Sequence, residues 1–215
     1  MTSHRFRGGN PLGSPYIALG FKSKVTAKVE QLKVTLRDSK PPIWRRIQVT
    51  SDTRLAVLHR VLQVVMGWEG AHLHQFMAHG RYYGTPHPDF GFEVQNEQQV
   101  SVQQVVSRPK DKLIYEYDFG DSWEHELLVE KILPLEAGKR YPLCLMGKRA
   151  CPPEDCGGIW GYASLLEALR DPEHPEHDEM VDWVGGEFDP EAFDLDEINR
   201  ELQNLPSPAV GRRPR

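Results

Sequence analysis

The chain has 215 residues and a mass of 24.6 kDa, a size that suits one domain with short appendages. Hydrophobic residues make up 39% of it, and no apolar run approaches the roughly 20 residues of a transmembrane helix, so we expect no membrane span. Three cysteines are too few for a disulfide framework, and no apolar stretch follows the first arginines as in a secretory signal. These features predict a cytoplasmic protein.

The formal net charge of −5 is unevenly distributed. Residues 1–54 carry 11 lysines and arginines against 3 acidic residues, whereas residues 151–205 carry 2 against 16. Two interpretations stay open: ends that neutralise each other in the fold, or two surfaces for different partners. The total charge argues against general nucleic-acid affinity, so only the basic N-terminal region keeps nucleic-acid binding open, beside an unidentified protein partner.

The termini differ in composition from the rest of the chain. Residues 1–24 mix Gly, Pro, Ser and basic residues without periodicity, which predicts a disordered basic arm. Residues 206–215 resemble it and predict a disordered tail. A single domain is therefore expected over 25–205.

Hydrophobic periodicity predicts strands first and helices last. Alternating apolar residues predict strands at 28–37 and 43–49, and a wide apolar stripe predicts a helix over 53–66. The further expected elements are a hairpin over 72–84 turning near Gly80, a loop at 85–90, a short helix near 100–106, strands at 112–119 and 122–133, and helices at 162–170, about 175–184 and about 190–204. This order predicts an α+β fold, a mostly antiparallel sheet packed by one helix and followed by short C-terminal helices.

A cluster of polar residues follows from the expected hairpin over 112–133. A two-residue turn at Gly120-Asp121 would place Glu116, Asp118, Trp123 and His125 on one face of the sheet, with Asp121 reaching in from the turn. Two carboxylates and an imidazole can hold a divalent metal or act as an acid–base pair, so Glu116, Asp118, Asp121 and His125 are the candidate catalytic residues. Nearby carboxylates would raise the pKa of His125. An ordinary polar sheet face is the alternative, and a longer turn would change the parity and separate the cluster.

The cysteines suggest a metal site of a different kind. Cys144, Cys151 and Cys156 lie in one Pro/Gly-rich segment, and His125 or a histidine of the 72–79 hairpin could supply a fourth ligand for a structural zinc ion. The Cys151-x₄-Cys156 spacing is wider than most zinc knuckles, and three buried thiols acting as small apolar residues are the alternative. His72 and His74 have metal-ligand spacing on a strand, but a solvent-facing strand explains them equally well.

Several motifs in a fixed order carry a family resemblance. They are PPIWRRIQV (41–49), HLHQF (72–76), YDFGDSWEH (117–125), CPPEDCGGIWGY (151–162), DPEHPEH (171–177) and FDPEAFDLDEINREL (188–202). The chain resembles the Ri-plasmid ORF-3-like domain family, also labelled as insertion-element passenger TnpR family proteins. The resemblance implies an α+β domain of bacteria and archaea, often encoded near plasmids and mobile elements, and it implies no established reaction or catalytic residue.

Three hypotheses about function remain. The first is a non-catalytic accessory or interaction module linked to mobile DNA, which the resemblance, the uneven charge and the lack of a sharp catalytic motif favour. The second is a metal-dependent, hydrolase-like enzyme that uses Asp118, Asp121 and His125 with Glu116 as a base. The third is a structural zinc domain built on the cysteines.

Overall fold

The computed structural model of the chain describes residues 28–86, 91 and 93–205. The predicted arm at 1–24 and the predicted tail at 206–215 lie outside the described residues. The strands are β1 (Lys28–Leu36), β2 (Trp44–Thr50), β3 (His74–Ala78), β4 (Arg81–Gly84), β5 (Val94–Asn96), β6 (Lys112–Tyr117), β7 (Trp123–Pro134) and β8 (Leu143–Lys148). The helices are α1 (Leu55–Met66), α2 (Val102–Val105), α3 (Gly158–Arg170), α4 (His177–Trp183) and α5 (Leu195–Asn204).

The strands form one sheet in the order β5-β4-β3-β6-β7-β1-β2-β8. Neighbouring strands are antiparallel except for the parallel β4–β5 pair at one edge. Along the chain, helix α1 lies between β2 and β3, and helices α3 to α5 follow the last strand. The expected α+β fold, with a mostly antiparallel sheet and a C-terminal group of helices, is confirmed.

The two faces of the sheet have different chemistry because side chains alternate along each strand. The core face carries buried apolar residues, which pack with α1 and with parts of α3 and α5. The opposite face carries ion pairs such as Arg46–Glu130 (2.6 Å) and Lys112–Glu126 (2.8 Å). In the described part of the chain, no helix is both long enough and apolar enough to cross a membrane.

The structure adds two strands that periodicity did not predict. Strand β5 has only three residues, and β8 pairs with β2 at the edge of the sheet. A Cβ on Gly147 of β8 would lie 2.5 Å from the ring of Phe193, so this glycine lets the segment before α5 approach the strand. Short edge strands of this kind leave little alternation in the sequence.

The predicted register of the β6–β7 hairpin is wrong. Tyr117 pairs with Trp123, so the connection is the five-residue loop 118–122 rather than a two-residue turn at Gly120-Asp121. Glu116 therefore lies opposite Glu124, and His125 lies opposite Tyr115. Since each strand alternates between the two faces, Glu116 and His125 lie on opposite sides of the sheet.

Candidate functional site

The loop 118–122 is covered by residues 151–158, which we call the cap segment. The backbone N–H of Gly157 donates to Oδ2 of Asp121 at 3.1 Å. A Cβ on Gly158 would lie 2.6 Å from the backbone oxygen of Asp121, and Gly158 has a φ of +68°. Only glycine meets both demands, so these residues allow the cap segment to pack on the loop.

The cap segment is also anchored to the protein core. The indole N–H of the buried Trp68 donates to the backbone oxygen of Pro152 at 2.9 Å. At the start of α3, a Cβ on Gly161 would lie 1.8 Å from the backbone oxygen of Cys156, which again requires glycine. The cap segment is therefore held at both ends, by the core and by the first turn of α3.

Three side chains meet where the loop, the cap segment and the start of β3 converge. Nδ1 of His72 lies 3.6 Å from Oδ2 of Asp118, and Nε2 of His72 lies 3.3 Å from Oδ1 of Asp155. We call these three residues the triad. The Asp118 side chain is 12% exposed and the Asp155 side chain 72% exposed, so the triad opens to solvent on one side.

Backbone contacts hold Asp118 in place. Its N–H donates to the oxygen of Leu73 at 2.8 Å, and its Oδ1 accepts from the N–H of Gly120 at 2.9 Å. Asp118 (φ 57°) and Asp155 (φ 60°) both have left-handed backbone conformations, which aspartate tolerates better than most residues. One carboxylate oxygen of Asp118 is thus used by the loop, and the other faces His72.

Tyr117 connects the triad to the cap segment. Its hydroxyl accepts from the backbone N–H of His72 at 3.3 Å and donates to the carboxylate of Glu154. Burial, together with the bond to Glu154, raises the pKa of Tyr117 to about 12. Tyr117 therefore stays a neutral phenol that positions groups on both sides of the triad.

The donor set of the triad suits two kinds of chemistry. An imidazole nitrogen and two carboxylate oxygens can ligate a transition-metal cation, or they can act as an acid–base pair. The three ligand atoms lie within 4.8 Å of one another, and in the described part of the chain no other group of three His, Cys, Asp or Glu side chains does so.

The sequence-predicted catalytic candidates do not stay together. Asp118 belongs to the triad, and Asp121 lies beside it in the same loop, bonded to the cap segment. Glu116 lies on the opposite face of the sheet, where it accepts from Gln75 at 2.7 Å and from Ser122 at 2.9 Å. The predicted shared face is wrong, because the loop has five residues.

His125 lies in the core instead of facing carboxylates. It is 0% exposed, and its Nδ1 donates to the backbone oxygen of Trp123 at 3.0 Å. Burial lowers its pKa to about 4, which is the reverse of the predicted rise. In this environment the imidazole is neutral, and it packs edge-on to Trp68 with 5.2 Å between ring centroids.

The cysteines are dispersed among apolar neighbours. Cys144 is buried in β8, and Cys151 and Cys156 are half-buried at the ends of the cap segment's CPPEDC motif. Burial raises the pKa of Cys144 to about 11 and that of Cys156 to about 12, and it also raises the pKa of Cys151. The free thiols are therefore protonated at neutral pH and poorly suited to act as nucleophiles. Zinc binding by Cys144, Cys151, Cys156 and His125 stays a prediction.

His74, two residues after His72, belongs to a separate covered network. Its Nε2 pairs with the buried carboxylate of Glu97 at 2.8 Å, and its ring stacks on His59 at a centroid distance of 3.5 Å. The side-chain amide of Gln63 donates to the hydroxyl oxygen of Tyr115 at 2.8 Å. The hydroxyl of Tyr115 can therefore donate its own hydrogen to Nδ1 of His59, which is also 2.8 Å away. Burial, and then the neighbouring His74, lower the pKa of His59 to about 3.

Sequence reasoning did not assign His72 and Asp155 to the same site as Asp118. His72 lies in the HLHQF motif and Asp155 in the CPPEDCGGIWGY motif, so the sequence did mark both segments as distinctive. The sequence did not reveal that these motifs meet, because 46 residues separate His72 from Asp118 and a further 37 separate Asp118 from Asp155.

Comparison with known proteins places the chain in a family. The model of the plasmid pRiA4b ORF-3-like proteins matches residues 28–197, which include the triad and the cap segment. The chain belongs to the pRiA4b ORF-3-like family. A relative named uncharacterized protein y4hQ, from Sinorhizobium fredii, is 38% identical over 183 residues, which cover 84% of this chain and 94% of the relative.

A solved structure also resembles this pRiA4b ORF-3-like protein. The crystal structure of MM3350 from Methanosarcina mazei, titled a protein of unknown function, has a TM-score of 0.74 and 40% sequence identity. The match covers 80% of this chain and 96% of MM3350. The names of these two relatives state no reaction, and the TnpR label and the link to mobile DNA stay predictions.

Proposed function

We propose that this pRiA4b ORF-3-like protein is a non-catalytic interaction module that binds a partner protein beside the triad. The proposal is carried by the distribution of exposed apolar side chains. In the described part of the chain six large apolar residues are exposed, and four of them belong to segments that build or flank the triad. We call these four the apolar rim: Leu73, Phe119, Trp160 and Trp183.

Two members of the apolar rim adjoin triad residues in the chain, and the other two lie on the helices that follow the cap segment. Leu73 and Phe119 directly follow His72 and Asp118 in the chain. Trp160 lies in the first turn of α3, two residues after Gly158. Trp183 and Asp155 line the same surface hollow.

The exposure of these side chains favours a protein partner. Trp160 is 83% exposed and Leu73 is 64% exposed, although burying either side chain would be favourable. Single exposed apolar residues are common, but a group of them around one site is typical of an interaction surface. Tryptophan is also enriched among the residues that contribute most to binding energy.

The test compares two pairs of exposed apolar residues. The tagged full-length chain is expressed in its native host, crosslinked and analysed by mass spectrometry as wild type, Leu73→Ser/Trp160→Ser and Leu135→Ser/Met146→Ser. Leu135 and Met146 serve as controls because they are exposed apolar residues outside the apolar rim. Their side chains are 45% and 44% exposed. We expect the rim pair to lose a specific partner and the control pair to keep it. Equal capture by all three proteins would contradict the proposal.

The partner then allows a quantitative measurement. With the purified partner, we expect Trp160→Ala to weaken binding by about 2 kcal/mol or more, which is roughly 30-fold in Kd. Circular dichroism of the variant shows whether the fold is intact. An intact variant with unchanged Kd would remove Trp160 from the binding surface.

A metal-dependent, hydrolase-like enzyme is the second candidate, and the open triad favours it. In this candidate His72 is the imidazole beside Asp118, a role that the sequence-based hypothesis gave to His125. Asp155 is the second carboxylate, a role that it gave to Glu116. Purified protein is assayed with phosphoester and peptide substrates and added Zn²⁺ or Mn²⁺. Turnover that Asp118→Asn abolishes would establish this candidate and refute the non-catalytic module. The absence of metal-dependent turnover would refute the enzyme.

A further inference from the structure

Among the residues that the structure describes, the ligand atoms of the triad face one another and are not used by other polar groups. Oδ1 of Asp118 accepts from Gly120, but Oδ2 faces only His72 within the part of the chain that the structure describes. Oδ1 of Asp155 likewise has only His72 as a partner there. The two ring nitrogens of His72 face these two carboxylates and nothing else among the described residues. A nitrogen and two oxygens are therefore available to a ligand.

The charge of the triad favours a cation. Two carboxylates flank one imidazole, so the triad is negative even when His72 carries a proton. Asp121 and Glu154 lie on the same loop and cap segment and add negative charge around it. A divalent cation would balance the charge of the two carboxylates of the triad.

The donor types indicate the class of cation. Calcium and magnesium prefer sites built from oxygen ligands, whereas a histidine nitrogen beside carboxylates suits first-row transition metals. We infer that His72, Asp118 and Asp155 bind one divalent transition-metal cation, with Zn²⁺ tighter than Mn²⁺ in keeping with the general order of affinities. Three protein ligands leave a coordination position for water, as in open zinc sites.

The two carboxylate ligands of the triad differ in their exposure to solvent. Asp118 is fixed by its backbone contacts, whereas the side chain of Asp155 is 72% exposed and can rotate at little cost. The ligand atoms, now within 4.8 Å of one another, approach further when Asp155 turns inward.

The inference is tested by calorimetric titration of tag-free, metal-stripped protein with Zn²⁺, Mn²⁺, Mg²⁺ and Ca²⁺. We expect one Zn²⁺ per chain, weaker Mn²⁺ binding and no detectable Mg²⁺ or Ca²⁺ binding. Asp155→Asn should weaken Zn²⁺ binding at least tenfold without unfolding the protein, because the side chain is exposed.

Two control variants separate the triad from the other zinc hypothesis. Asp189→Asn changes an exposed aspartate outside the triad and should leave the affinity for Zn²⁺ unchanged. Cys151→Ser/Cys156→Ser removes the two thiols of the cap segment and should also leave the affinity for Zn²⁺ unchanged. The inference is overturned if the wild type binds no Zn²⁺, if Asp155→Asn binds it normally, or if the cysteine variant loses tenfold or more. The interaction proposed for the apolar rim does not require the metal, so the two proposals fail separately.

Discussion

His72 and His74 are two residues apart in the chain, and each meets carboxylate groups in a different setting. The side chains of His74 and Glu97 are only 13% and 6% exposed, and the ring of His74 stacks on His59 of α1. His72 lies two residues before β3, and Asp155, one of its two carboxylate partners, has a side chain that is 72% exposed. In the covered network each of these side chains forms a hydrogen bond with another protein group, as stability requires. In the triad the side chains contact one another but remain open to solvent, which is the condition for binding a ligand.

The largest expected effect tests the covered pair. Glu97→Ala leaves His74 without its buried partner, so we expect the free energy of unfolding to fall by about 3–5 kcal/mol. The matched change in the triad, Asp155→Ala, removes an exposed carboxylate and should alter stability by about 0.5 kcal/mol or less. Urea denaturation of both variants measures the difference. If both variants lost the same amount of stability, the buried His74–Glu97 pair would contribute no more to the fold than the exposed carboxylate of the triad.

The second effect concerns the close packing of the cap segment on the loop. Gly158→Ala should destabilise the protein because the new Cβ would lie 2.6 Å from the oxygen of Asp121. Gly185→Ala is the control, since Gly185 has a similar φ of +80° but nothing within 4 Å of a Cβ. Both substitutions place an alanine at a positive φ, so that cost is common to the two variants. The difference between their free energies of unfolding, measured by denaturant titration, therefore reports the clash alone, and we expect it to be about 1–3 kcal/mol. Equal losses would mean that the cap segment can move away freely.

The third effect is the dependence of stability on pH. The pKa of His59 is lowered to about 3 in the folded state, so only the unfolded chain takes up this proton as the pH falls below about 6.5. The folded state therefore loses stability through that range, by about 2 kcal/mol at pH 5 for this one group. His59→Gln should remove this loss, so the variant and the wild type converge in stability between pH 7 and pH 5.

A buried carboxyl contributes with the opposite sign. Burial raises the pKa of Glu30 to about 7, so its protonation stabilises the fold as the pH falls. The measurement is therefore the difference between His59→Gln and wild type at each pH, in which the contribution of Glu30 cancels. A difference that stays constant from pH 7 to pH 5 would contradict the low pKa of His59.

The smallest expected effect on stability is that of the apolar rim. Trp160 is 83% exposed, so Trp160→Ser should change the free energy of unfolding by about 0.5 kcal/mol or less. Trp68→Ser is the contrast, because Trp68 is 6% exposed and its truncation should cost about 3–5 kcal/mol. A large loss in Trp160→Ser would show that this side chain supports the fold rather than a partner's surface.

Most of the fold could be predicted because its elements carry strong periodicity. The apolar stripe of α1 and the alternation of β1 and β2 reflect burial against the core, and the hairpin turns at His79-Gly80, both with positive φ. Strand β8 could not be predicted, because it lies at an edge and its glycine serves a contact with Phe193. The predicted helix at 162–170 begins four residues earlier, at Gly158, because the glycine turn leads directly into α3.

The amino-acid sequence by itself determined that carboxylates, thiols and glycines gather between residues 115 and 162, and that strands precede helices. Only the tertiary structure decided which imidazole meets the carboxylates: His72 does, and His125 is in the core. The physical reason is the alternation of side chains along a strand. The length of the loop 118–122 sets which face each residue takes, and the site is completed by segments far away in the chain.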